Sequence, residues 1–170
     1  MPPARPIAKA DDVPPLFMRD VDRDIPDRAV CWYEGSERTP ALRRALTEAE
    51  RHSLEFRASG LRNALAPYED RHKDTLAAAI AGMLAGFPAM ARHDDETAVA
   101  LTWGYLCILR DRPPWAIARA CEMVRAGRAG LNPSFCPSEP EFNLLVGRVT
   151  AEYAERLRKT EAMLRAKVAA

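Results

Sequence analysis

Residues 111–142 read DRPPWAIARACEMVRAGRAGLNPSFCPSEPEF, and their punctuation decides the fold. Pro113 and Pro114 cannot continue the apolar run before them, because proline lacks an amide donor and its ring clashes with the preceding turn. At the first position of a new helix that amide would be unpaired anyway, so one of the pair opens the next helix. Trp115, Ile117, Ala118, Cys121 and Val124 or Arg125 follow at helical spacing, and Gly127 closes the run. A connection rich in Gly, Pro, Asn and Ser leads to Ser138, which with Glu141 forms a capping box for a last helix.

The same logic extends in both directions. Six of the 14 prolines lie in the first 26 residues, and the others fall at the seams of a helical pattern. Thr47 with Glu50 starts a helix over 47–65, with a narrow stripe of Leu54, Ala58, Leu61 and Leu65. A broader face, Leu76, Ala77, Ile80, Met83, Leu84 and Phe87, marks a helix over 69–86, where Gly82 would let a neighbouring backbone come close. Asp94, Asp95 and Glu96 suit the positive end of a helix over 95–110. That helix is the most apolar and is expected to be central, with Trp103 and Tyr105 packed inside and Cys107, like Cys121, a small core residue. The last helix, 139–168, has an apolar first half and a charged second half. Three arrangements suit that second half: projection into solvent, packing on the helix over 47–65, or pairing with a second copy.

The expected fold is therefore all-α: a small bundle of about five helices with a long C-terminal helix and an extended N-terminal tail. The tail is placed at 1–38 and the helical domain at 39–170, with the bundle core over 69–154. Periodicity in the tail never lasts more than a few residues, and two apolar clusters interrupt it, Leu16-Phe17-Met18 and Val30-Cys31-Trp32-Tyr33. Either these pack onto the helical core or pin a short strand, or they form a motif in which Trp32 docks on a partner.

Composition narrows the function. With 25 basic and 24 acidic residues the formal net charge is +1, too small for a protein that holds DNA chiefly by neutralising phosphates. No apolar run has the length of a membrane span or of a secretory signal, and the four cysteines form no C-x-x-C pair. A cytoplasmic protein with reduced thiols is expected. There is no P-loop, no G-x-G-x-x-G, no G-x-S-x-G and no H-E-x-x-H, so no catalytic residue, cofactor or metal is assigned and no enzyme is expected. His72 beside Asp70 and Asp74 reads as a solvated first turn, and the acidic triplet 94–96 as a helix cap. Arginines do gather around the fourth helix, at 110, 112, 119, 125 and 128. This gathering admits either a solvated face or a surface for an acidic partner or a nucleic-acid backbone. The candidate partner-binding residues are accordingly Arg112, Trp115, Arg119, Arg125, Arg128 and Trp32.

Residues 76–146 carry a further pattern. A helix ends in Phe87-Pro88, and the next closes with Leu109, Arg110-Asp111 and Trp115. The Ala120-Cys121 step, a basic connector, the loop with Asn132-Pro133 and Phe135-Cys136-Pro137, and the capped start at Ser138–Phe142 follow. This resembles the helical domain of phage replicative-helicase loader and inhibitor proteins, and of uncharacterised alphaproteobacterial prophage proteins of the same layout. The resemblance implies a non-enzymatic adaptor that binds a hexameric replicative helicase or an initiator. In that family a disordered segment follows the helical domain, whereas here the C-terminal stretch reads as helical. Two alternatives stand beside it: a small DNA-binding or regulatory protein, and an oligomeric phage assembly or scaffold protein joined through the C-terminal helix.

Overall fold

The computed structural model of the chain describes residues 30–32, 40–42, 44–132 and 134–168. Five α-helices lie among them: α1 Glu48–Ala64, α2 Lys73–Leu84, α3 Asp95–Ile108, α4 Pro114–Arg125 and α5 Glu139–Arg165. The all-α expectation holds, and the starts of α1, α4 and α5 fall where the caps and Pro114 placed them, whereas α2 begins at Lys73 rather than 69 and α5 ends at Arg165 rather than 168. Thr47 accepts from the Glu50 amide at 3.3 Å and donates its own amide to the Glu50 carboxylate at 2.8 Å, a complete capping box. Ser138 and Glu141 repeat the device at the start of α5. Pro114 is the first residue of α4, as its fixed φ favours.

A short antiparallel pair, β1 Val30–Trp32 and β2 Pro40–Leu42, is the one ladder among the described residues. It lies where one reading of the Val30–Tyr33 cluster put a short strand. Most of the expected N-terminal tail, including Leu16-Phe17-Met18, lies outside the described residues, as does the Trp32 side chain.

The described residues fall into two compact units. Residues Ala66–Ala151 form one; those up to Leu65, with those from Glu152 onward, form the other. In the first unit α2 packs on both α3 and α4. Leu76, Ile80, Met83, Leu106, Leu109, Trp115, Ile117, Phe142 and Leu145 are fully buried in it. Side chains of this size each contribute about 1.5–3 kcal/mol on burial, so this list is the main source of the unit's stability.

In the second unit α1 meets the charged half of α5. Leu54 packs with Leu42 and Met163, flanked by Leu46, Leu164 and Ala166. Arg62 donates two hydrogen bonds to Glu161, at 2.9 and 2.7 Å. Of the three arrangements open to residues 155–167, packing on α1 is the one observed. Glu50 there also receives a forked pair of hydrogen bonds from Arg44, at 2.9 and 2.8 Å.

Several expectations about α3 are corrected. The helix is not central: only Thr102, Tyr105 and Leu106 of its residues are buried, while Trp103 is 46% exposed and Cys107 is exposed. The most buried helix is α4, from Pro114 through Cys121, although its overall composition is more polar. Gly82 admits no neighbour among the described residues, where a methyl group would meet nothing within 4 Å. His72 is buried rather than solvated, and its Nδ1 accepts the Glu69 amide at 2.9 Å.

Candidate functional site

The connection from α4 to α5 is built by two glycines that only a left-handed backbone can serve. Gly127 has φ 67° and Gly130 φ 68°, a region that side chains with a Cβ enter only at a cost. At the first of these the Arg128 amide donates to the Met123 carbonyl at 2.8 Å and the Gly127 amide to Val124 at 3.0 Å. This is the double hydrogen bond of a Schellman C-cap, and it turns the chain off the end of α4. At the far end Tyr105 fixes the loop. Its hydroxyl donates to the Pro137 carbonyl and lies 3.6 Å from the Cys136 sulfur, and its ring meets Phe142 edge-on at 5.6 Å. Burial pushes the Tyr105 hydroxyl above its ordinary range, so it stays protonated as a donor.

Between these anchors the loop arches over the ends of α2 and α4 and leaves a groove of about 240 Å³. Met83, Phe87, Val124 and Leu131 supply apolar walls, with Arg125 and Asn132 as the polar groups. Arg125 is exposed and makes no ion pair among the described residues. The groove combines an apolar slot with a free cation, which suits an apolar side chain next to a carboxylate. A second cleft, of about 430 Å³, lies between α2 and α3 and is lined by Leu84, Met90, Val99 and Thr102 with His93 and Asp95.

The six candidate partner-binding residues do not converge. Arg125 lines the groove. Arg119 and Arg128 both pair with Glu122, at 2.6 and 3.3 Å, on the outside of α4. Arg112 donates from Nε to Asn143 Oδ1 at 2.8 Å and lies over Gly147, so it ties the α3–α4 turn to α5. Trp115 is 2% exposed and belongs to the core rather than to a surface. Trp32 contributes only its β1 backbone to the description. The apolar walls at Met83, Phe87 and Leu131 were read as core or loop; the two loop glycines were the only signal that the chain bends back over them.

Other candidate chemistry resolves into structure. Asp94 accepts the Thr97 amide at 2.8 Å as the N-cap of α3, and that hydrogen bond holds its carboxyl below the ordinary range. Cys121 is buried, and desolvation pushes its thiol up to about 12. Among the described residues no group of three His, Cys, Asp or Glu side chains lies close enough to hold a metal ion. No helix among them is long and apolar enough to cross a membrane. Compared with protein-family models, curated proteins and solved structures, the chain matches none.

Proposed function

We propose that this chain is a non-enzymatic, cytoplasmic adaptor that holds another protein. By its resemblance to the loaders, it belongs to phage-type DNA replication and takes a replicative helicase or initiator as its partner. The observation that carries the reading is the groove under residues 127–137, where Arg125, without an ion pair among the described residues, stands beside apolar walls. A partner offering an apolar anchor next to an acidic residue would fill the slot and neutralise the cation, the pattern of an interface hot spot. Duplex DNA suits this surface less well, because Arg119 and Arg128 already share Glu122 and the first half of α4 is buried.

The test is titration of the folded chain against a purified hexameric replicative helicase and against its initiator, by calorimetry. Binding that Arg125→Glu weakens about tenfold or more, with helix content unchanged, is expected for a charge facing an acidic group. A folded chain that captures neither protein would overturn the assignment.

A further inference from the structure

Helix α3 presents an apolar face that nothing covers among the described residues. Val99 is 56% exposed and Trp103 46%, with Ala100 and Cys107 exposed beside them. These positions follow at i, i+4 and i+8, so they form one stripe along the helix. Thr102, Tyr105 and Leu106, from the flank of the stripe round to the back of the helix, are buried. A helix apolar on both faces is one whose second face is made to be covered.

The stripe is also self-complementary in charge. Trp103 is its midpoint, Glu96 lies seven residues before it and Arg110 seven residues after, in the turn that follows the helix. Glu96 makes no ion pair among the described residues. Arg110 reaches only Asp111, at 3.7 Å with both side chains largely in water. An antiparallel second copy related by a two-fold axis at Trp103 would set each Glu96 beside the other copy's Arg110, and each Val99 beside the other's Cys107. Asp95 and Asp111 fall one residue farther round, at the rim. The matching patch on both partners is what an isologous interface requires.

We propose that this face of α3 is the docking surface for a second copy of the chain, packed antiparallel about Trp103. The inference is independent of the groove under residues 127–137 and of the helicase reading. Two α3 stripes, each about 20 Å long, make a contact far smaller than the roughly 2,000–5,000 Å² of a permanent interface. The dimer is therefore a weak one, with a dissociation constant on the order of 10–100 μM.

Sedimentation of the full chain over a concentration series reads the assembly directly. The mass should rise from the 18.9 kDa of one chain toward twice that value, and the Cys107 thiol should become protected from labelling over the same range. Glu96→Arg and Arg110→Glu should each weaken the dimer about tenfold, since each change sets two pairs of like charges opposite one another. The double variant should restore it. Both positions are in solvent, so helix content should stay unchanged. A chain that remains monomeric overturns the proposal in either of two ways. With Cys107 protected at every concentration, the chain's own residues 1–29 cover the stripe. With Cys107 freely labelled, the stripe belongs to a different partner. Association that neither charge reversal weakens would overturn the antiparallel arrangement.

Discussion

Helices α3 and α4 invert the usual relation between composition and burial. α3 is apolar nearly all round, yet it sets Val99, Trp103 and Cys107 in solvent. α4 carries Arg119, Glu122 and Arg125, yet buries every residue from Pro114 to Cys121 except Arg119. The difference lies in the neighbours. α4 is rich in alanine and packs on α2 along its buried first two turns, whereas Gly104 on α3 is faced by the Glu139 carboxylate and the stripe beyond it by none of the described residues. Hydrophobicity fixes what a helix face would gain by being covered, and the rest of the fold decides whether it is.

The two thiols offer the sharpest way to break this contrast. At dilutions where the chain is monomeric, Cys107 should react with a thiol reagent at close to the rate of an exposed thiol, while Cys121 waits for opening of the core. In a domain of ordinary stability that opening slows labelling by about a thousandfold or more, as mass spectrometry of labelled peptides would show. Comparable rates would mean that α4 is not the core helix.

The two tryptophans test the same contrast energetically. Trp115→Ala should cost about 3–5 kcal/mol in chemical denaturation, and Trp103→Ala about 0.5 kcal/mol or less at dilutions where the chain is monomeric. Equal losses would restore α3 to the centre.

Alkaline pH gives a smaller effect with a fixed sign. The Cys121 thiol is raised from its usual 9.0 to about 12 by burial. Above pH 9 the unfolded chain therefore gives up a proton that the folded chain keeps, and stability falls as pH rises from there toward 12. Between pH 9 and 10 the loss attributable to this group is about 1 kcal/mol, and Cys121→Ala should lack it. A wild-type slope matching that of the variant would place Cys121 in water. Gly82→Ala is the smallest change and should stabilise, by about 0.5–1 kcal/mol, since α2 turns that position toward open space. A loss there would indicate a neighbour on that side of α2.

Helix ends were legible because their signals are local. Thr47 with Glu50, Ser138 with Glu141, Pro114 and Gly127 each act through a backbone group within a few residues. The peripheral position of α3 was not legible, because an apolar periodicity states that a face would gain by burial and not what reaches it. Trp115 differs from the expectation for the complementary reason: basic neighbours in sequence, Arg112 and Arg119, find Asn143 and Glu122, while the indole between them is buried. His72 looked like a polar first turn, but a short 3₁₀ segment, Asp70–His72, precedes α2 and turns the ring inward. The groove near Arg125 depends on a loop closing over residues 40 positions earlier in sequence, and only Gly127 and Gly130 hinted at it.

The second unit has a consequence for the order in which the chain acquires structure during synthesis. Arg62 pairs with Glu161, 99 residues later, and Leu42 hydrogen-bonds to Lys167 and bridges to Val168. Long-range closures of this kind come late and slow folding. Helix α1 therefore leaves the ribosome long before its partner exists, with Leu54, Ala58 and Leu61 bare, while residues 66–151 can already collapse around Trp115. For that interval the nascent chain has a finished half and a waiting half, and the waiting apolar stripe is where a chaperone would bind.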